Sequence, residues 1–526
     1  MLIDKIKSLS AAICLGLLVT TGASYKGIGW IAERHQVTQW KVWSAVTKYS
    51  FSLWLDDIKL ISIVVVVLGL ATTALFGWLF WNFSWTFRPR SLDGAKAAAD
   101  LTKKSAPQTQ PRIFAGKFGR KRLYVSTEDR ALVIGPPGTG KTAFLLNQVL
   151  RATQIKLSFA VIDIKPELHQ ILATTLQGAG YRVLQINPAR NDPHADHWNP
   201  LDDLKDETEI AELCAALLPI RDPKEAPFVE AQLDWLKAAV FHVKSQSGGS
   251  LPSAYNLLSS QTDAETLLKM LSASPNPAAA QIARRMIAGL SGAKPDPLIL
   301  QGLTGALRTL DYLGLPGVQS ALGHSDFSVR ELGQGNQPTA LFLQFEESKL
   351  KTLGPLLAFM ATGLLTTLID TAGQRKPVAL FLDELGNMPP IPGLTEKLNT
   401  IRSRNIPTWM YFQSAEQIER RYGRGAVAIF SGAADVQMVF RLNDQPTREL
   451  ISKLVGTTER EKFSQSKNSG TKGGSTSRSF EQINVVEPYK LGQLKSSEVV
   501  CLYRGAAAKG RATPHYVDFP AFKRKT

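Results

Sequence analysis

The sequence predicts an α/β fold built on a parallel sheet, and three observations predict it. Short apolar runs alternate with helical patterns in the order β-α-β-α-β between residues 131 and 188. One run, ALVIG at 131 to 135, opens into GPPGTGKT at 135 to 142, a phosphate-binding loop pattern in the required strand–loop–helix setting. Another, VALFL at 378 to 382, ends on two adjacent carboxylates, Asp383 and Glu384. The carboxyl ends of strands are where open α/β sheets bind ligands.

Each position of the loop has its own chemical reason. The pattern is met by Gly135, Gly140, Lys141 and Thr142, with Pro136, Pro137, Gly138 and Thr139 between them. Gly138 and Gly140 let backbone N–H groups close around phosphate oxygens. Lys141 places positive charge on the β and γ phosphates, and Thr142 offers a hydroxyl to Mg2+. The following AFLLNQVLRA reads as a helix whose N-terminus favours an anion. ATP and Mg2+ are the expected ligands. By itself the acid pair has two readings: Asp383 caps the next helix and Glu384 is solvated, or both serve a metal and water site. The P-loop favours the second, with Asp383 completing the Mg2+ shell and Glu384 orienting or deprotonating a water.

Length and charge bound the rest. A chain of 526 residues has room for about two or three domains. The 61 basic against 45 acidic residues give a net charge of +16, which suits a polyanion or an anionic membrane surface as partner. Cys14, Cys214 and Cys501 lie far apart without metal-ligand spacing, so neither a disulfide framework nor a zinc site is expected.

Residues 58–83 are uncharged after Lys59 and rich in Trp and Phe at their far end, which predicts a membrane span. Residues 9–31 are either a first span, the preferred reading, or a signal peptide. Arg88, Arg90, Lys96, Lys103 and Lys104 follow the second span, so the positive-inside rule places residues 88–526 in the cytoplasm. The expected organisation is an anchor at 1–87 with a short periplasmic loop and a linker at 88–112. The first part of the nucleotide-binding domain follows at 113–202, an all-α domain at 203–320 and the second part of the nucleotide-binding domain at 321–526. The all-α expectation rests on helical spacing at Ile210, Leu213, Leu217, then Leu233, Leu236, Val240, then Leu267, Leu268, Leu271 after a capping box from Thr262 to Glu265. Strands are expected again at 339–345, 378–382, 408–414 and 436–442. The stretch SQSKNSGTKGGSTSRS reads as a flexible polar segment.

Three later groups carry candidate chemistry. Gln413 and Ser414 end a strand, where a side-chain amide can sense the γ-phosphate or be merely polar. Arg402 and Arg404 lie between the acid strand and the Gln strand, as a solvated helix end or as a finger reaching a neighbouring subunit's γ-phosphate. Arg420, Arg421 and Arg424 flank Tyr422 and could face phosphates or bases, or form a charged helix face.

Read together, the two N-terminal apolar segments, GPPGTGKT, AVIDIKPEL, HWNPL (197–201), LFLDELGNMPPIPGL, FQSAEQIERRYG and FRLNDQPTRELISKLVG give a chain that resembles the type IV secretion coupling proteins of the TraG/TraD type over essentially its whole length. The resemblance implies a RecA-like P-loop NTPase motor domain with an inserted all-α domain and an N-terminal two-helix transmembrane anchor in the bacterial inner membrane. It implies a homo-hexameric ATPase coupling a relaxase-bound DNA strand (relaxosome), or effector proteins, to inner-membrane components of a secretion channel. It assigns the family's glutamine to Gln413 and places its trans-acting arginine best on Arg402, with Arg404 the runner-up. Two departures stand out: the P-loop carries Pro136-Pro137, and little chain follows Pro514, so tail-mediated cargo binding is not expected. A membrane protease would need H-E-x-x-H, which is missing among the seven histidines. An ABC transporter would need a signature motif that GLSGAK at 289–294 only faintly echoes. A double-stranded DNA translocase of the chromosome-segregation class, and a non-motor scaffold retaining the nucleotide fold, are the alternatives, separated from a motor by DNA-stimulated ATP turnover.

Overall fold

The computed structural model describes residues 91–522 except 94, 221, 261–262, 292 and 468–473, and before residue 91 only short pieces, chiefly 65–75. The described residues fall into two compact units, Ser91–Gly456 with Asn484–Thr526, and parts of Met1–Arg90 with Thr457–Ile483.

The larger unit is organised by one sheet. Its strands are β1 (Arg112–Phe118), β2 (Lys121–Ser126), β3 (Ala131–Ile134), β4 (Ser158–Asp163), β5 (Arg182–Ile186), β6 (Thr339–Gln344), β7 (Val378–Leu382), β8 (Thr408–Phe412) and β9 (Val436–Val439). In the smaller unit β10 (Thr457–Lys467) and β11 (Gly474–Asn484) follow, and β12 (Glu498–Tyr503) and β13 (Ala506–Arg511) return to the large sheet. The order is β2-β1-β13-β12-β9-β3-β8-β7-β4-β6-β5. From β9 to β5 every neighbour is parallel, and from β9 to β2 every pairing is antiparallel.

The parallel strands read as unbroken apolar runs because both faces are buried. Leu132 and Ile134 of β3, with Leu380 and Leu382 of β7, enter one core. Ala131, Val133, Ala379 and Phe381 enter the other, under Phe144, Leu145 and Val149 of helix Lys141–Ala152. The first core continues without a break into the helices between β5 and β6, among them Glu207–Leu217, Ala226–Lys244 and Pro297–Thr309. Among the described residues no strand interrupts that segment. Its two crossings are tied together: Trp198 N donates to Ala321 O at 2.8 Å and Asp326 N to His197 O at 3.0 Å. The cap of helix Ala264–Ser272 is Asp263, which accepts from the N–H groups of Glu265 and Thr266, in place of the expected box starting at Thr262.

Two expectations change here. Within 88–112, expected as a linker, Ala95–Thr102 is a helix with Ala98 and Leu101 buried, since an alanine-rich stretch needs only a narrow apolar edge to dock. Of the polar stretch expected to be flexible, 464–467 and 474–479 lie in β10 and β11, a hydrogen-bonded pair with Arg460 and Glu481 3.6 Å apart, and 468–473 lie outside the described residues. Backbone pairing there does not need an apolar core. The two spans lie almost wholly outside the described residues. Of the second, Val65–Leu75 is an apolar helix, with Val66, Val67, Leu68, Leu70 and Leu75 exposed. Among the described residues one helix, Glu347–Asp370, is long and apolar enough to cross a membrane, and it is mostly buried, which marks a core helix.

Candidate functional site

The P-loop leaves β3 at the carboxyl edge of the sheet and turns through Gly138 (φ +77°) and Gly140 (φ +102°), both left-handed and closed to most side chains. Thr139 Oγ1 donates to Pro136 O at 2.8 Å. Lys141 is buried, and its ammonium donates to the backbone carbonyl of Gly135 and, at 3.3 Å, to that of Pro136. Thr142, one residue on, is exposed. The helix behind the loop is braced by the last described part of the chain. Asn147 Nδ2 donates to Thr513 O at 2.8 Å, Arg151 pairs with Asp518 at 2.6 Å, and Ser497 N donates to Thr139 O at 3.1 Å. The residues around and after Pro514 therefore hold the helix that follows the P-loop.

Strand order brings the other groups alongside. β8 lies between β3 and β7, so Gln413 stands between the P-loop and the acid pair, and β4 on the far side of β7 adds Asp163 and Lys165. Asp383 and Glu384 are only 4% and 5% exposed, and the next helix, Leu394–Ser403, is capped at Gly393. The capping reading of Asp383 therefore fails. Glu384 has φ +54°, a strained conformation for a non-glycine residue of the kind found at functional sites. Gln413 Nε2 donates to Glu384 Oε2 at 2.8 Å and Lys165 Nζ lies 3.5 Å from Glu384 Oε1. Gln417 ties both loops, accepting from Gln413 N at 2.9 Å and donating to Asn387 Oδ1 at 2.6 Å. This works only because residue 386 is glycine, where a Cβ would lie 2.1 Å from the Gln417 side chain.

The cluster is electrostatically loaded. Burial, reinforced by Glu384 and Asp163 and opposed by Lys141 and Lys165, pushes the Asp383 carboxyl up to about 7. Burial likewise raises Asp163 to about 6, against the N–H groups of Lys165 and Leu168 that it accepts. Burial lowers the Lys141 ammonium, with Glu384 and Asp383 pulling the other way. Asp383 Oδ1 is buried without a hydrogen-bond partner. Buried polar atoms are nearly always satisfied, so this orphan oxygen, on a carboxyl that feels the charge of the P-loop lysine, fits the coordination shell of a hydrated Mg2+.

Of the residues expected from sequence, the structure brings together the P-loop from Gly135 to Thr142, Asp383, Glu384 and Gln413. Ser414 instead caps helix Ala415–Tyr422, accepting from Gln417 N. Arg402 is elsewhere: exposed, 3.8 Å from Asp435, which precedes β9 at the amino edge of the sheet. Arg404 is also exposed. Arg421 holds the acid loop through Gly386 O at 2.9 Å, and Tyr422 packs edge-on against Phe412 and Phe430, so neither is presented to bases. Sequence reasoning missed Lys165 and Gln417. Lys165 carried a signal, a charge two residues past the end of an apolar strand that belongs to the same sheet edge. Gln417 carried none.

A phosphate loop on one strand, an acid pair two strands away and a polar side chain on the strand between define a P-loop NTPase fold. Within that class the chain belongs to the type IV secretory system conjugative DNA transfer family, whose sequence model matches residues 95–525, and is a type IV coupling protein. It is 23% identical over 545 residues to a conjugal transfer protein TraG of Escherichia coli, covering 91% of this chain and 84% of that one. A TraG of Agrobacterium fabrum is 26% identical over 204 residues, 38% of this chain and 31% of that protein. Among solved structures, the unbound bacterial conjugative coupling protein TrwBdeltaN70 matches with TM-score 0.63 and 16% identity over 81% of this chain and 92% of that chain. Plasmid coupling protein TrwB in complex with ADP and Mg2+ matches with TM-score 0.64 and 16% identity over 81% and 95%. These likenesses show a shared fold.

Proposed function

We propose that this coupling protein is a membrane-anchored, hexameric ATPase that links a relaxase–DNA complex, effector proteins or both to a type IV secretion channel and drives DNA translocation by hydrolysing ATP. The observation that carries the reading is the meeting of Lys141, Asp383, Glu384 and Gln413 on one edge of the sheet, with a buried carboxylate oxygen left unpaired.

In this reading the P-loop N–H groups and Lys141 cradle the phosphates, and Thr142 and Asp383 hold Mg2+. The bound metal would neutralise charge developing on the phosphates. Glu384, fixed by Gln413, orients and deprotonates the attacking water, and Gln413 registers whether the γ-phosphate is present. Arg402 acts in trans. Its partner Asp435 lies level with the start of β3, and four residues of strand, about 13 Å, separate that level from the P-loop. It is therefore poorly placed to serve its own subunit's site and, being exposed, is open to a neighbour's. The N-terminal apolar segments anchor the chain in the inner membrane, and the helical segment between β5 and β6 receives the substrate complex. That TrwB has been crystallised with ADP and Mg2+, and with a non-hydrolysable ATP analogue, supports a nucleotide at the corresponding place.

The test is made in cells. Deleting the coding sequence should abolish transfer of the mobile element it serves, wild type should restore it, and Glu384→Gln should not, although the protein still fractionates with the membrane. Restoration by Glu384→Gln would defeat the reading.

A further inference from the structure

Glu384 presents a physical problem that the P-loop alone does not solve. It is a carboxylate 5% exposed, on strained backbone, directly beside the raised Asp383. A buried charge is tolerated only when paired and hydrogen-bonded. Lys141 is occupied by the carbonyls of Gly135 and Pro136. Among the described residues the groups that reach the Glu384 carboxylate are Gln413 Nε2, neutral, and Lys165 Nζ, charged.

We infer that Lys165 is a positioning residue for Glu384, its ammonium holding one carboxylate oxygen while Gln413 holds the other, so that the remaining lone pairs face a water in front of the γ-phosphate. This rests on the ATPase reading above and adds a residue to it. The placement of Lys165 is built into the fold. Asp163 accepts from Lys165 N at 2.9 Å and from Leu168 N at 3.1 Å, which fixes the turn that follows β4. Glu347, held by its own N–H to Ile164 O at 3.0 Å, adds a second negative group near the ammonium. Burial works against the charge on Lys165, but Glu384, Glu347 and Asp383 outweigh it and hold its pKa above the ordinary value.

A stability role explains the arrangement less well. The Lys165 side chain is 45% exposed, and ion pairs of half-exposed lysines contribute little to folding. What it touches, by contrast, is the buried group on which water activation depends. With its ammonium removed, Glu384 keeps one neutral donor, and the carboxylate is free to rotate.

The experiment uses the full chain in detergent, with ATP turnover and binding of a fluorescent ATP analogue measured together. Lys165→Ala should lower kcat about 10- to 100-fold, a fraction of what general base catalysis supplies, while KM and nucleotide affinity change less than about threefold. Lys165→Arg should recover kcat to within about threefold of wild type, since charge and reach are kept. In a Glu384→Gln background, Lys165→Ala should cost almost nothing more, because its target carboxylate is already gone. The inference is overturned by a Lys165→Ala chain with wild-type kcat, by a loss of affinity as large as the loss of kcat, or by an equal loss in the Glu384→Gln background. A wild-type chain that binds ATP without turning it over overturns the ATPase reading and this inference with it.

Discussion

Asp203 and Asp383 are both almost completely buried, at 2% and 4% exposure, and they differ in how they are satisfied. Asp203 sits where the chain passes from the sheet into the helical segment. Its carboxylate accepts from Trp198 Nε1 at 2.8 Å, from Val329 N at 3.0 Å and from Ser328 Oγ, and its backbone carbonyl accepts from Arg330 Nε at 2.9 Å. Both carboxylate oxygens are satisfied, and the bonds from Ser328, Val329 and Arg330 tie the outgoing crossing to the returning one. Asp383 has a buried oxygen with no partner and a carboxyl driven up to about 7 by burial among other acids. The same residue type, equally hidden, is a knot in one place and a reserved ligand in the other. Burial does not distinguish them; satisfaction of the polar atoms does.

The contrast can be broken most sharply at the site. Lys141→Ala should cut ATP turnover by at least about 10³-fold, because the charge on the transferring phosphate is lost, with the thermal unfolding midpoint near wild type. A folded Lys141→Ala chain with normal turnover would remove the P-loop from the account. Arg402→Ala should cost about 10³-fold by itself, yet regain activity when mixed with Lys141→Ala. Each mixed ring then contains interfaces where an intact Arg402 faces an intact P-loop. No recovery in verified mixed oligomers would take Arg402 out of the trans role, and recovery with Arg404→Ala would give that role to the runner-up.

At the knot the expected loss is in stability instead. Asp203→Ala strands the Trp198 indole N–H and the Val329 N–H in the interior, which should cost about 3 kcal/mol or more in unfolding free energy, while turnover per folded molecule stays within about twofold. An unchanged unfolding curve would show the crossing is held by something else. The smallest effect is the inverse one. A carboxyl whose folded pKa is raised binds more protons folded than unfolded, so its contribution to stability is greatest below its unfolded value and is lost as pH rises through about 7. Nucleotide-free Asp383→Asn should therefore unfold about 1–3 °C higher than wild type at pH 8, with the gap closing toward pH 5. A lower midpoint at pH 8 would contradict the strained-carboxylate assignment.

How much of this was legible follows from what each element buries. β3, β7 and β8 are covered on both faces, so ALVI, VALFL and TWMYF are plain in the sequence. β2 and β13 lie on the antiparallel side, and KRLYVS and AAAKGR alternate or carry almost no apolar signal. Their membership of the sheet is decided by pairing partners far away in the chain. The site divides in the same way. GPPGTGKT and the acid pair each announce their chemistry through residue type and spacing, and Gln413 through its place at a strand end. Lys165 and Gln417 act through contacts that exist only once β4, β7 and β8 are adjacent. The bracing of the P-loop helix by Thr513 and Asp518 could not be read at all, since their partners Asn147 and Arg151 lie more than three hundred residues earlier.

We propose that the carboxyl edge of this sheet hydrolyses ATP with Mg2+ and responds to DNA. Phosphate release by the purified full chain, with and without Mg2+ and with and without single- or double-stranded DNA, tests it most directly. The expected result is turnover that requires Mg2+, rises severalfold with DNA and falls about 10²- to 10⁴-fold in Glu384→Gln although that variant still binds ATP. Turnover equal in wild type and Glu384→Gln, or a wild type that binds nucleotide and releases no phosphate under any of these conditions, would contradict it.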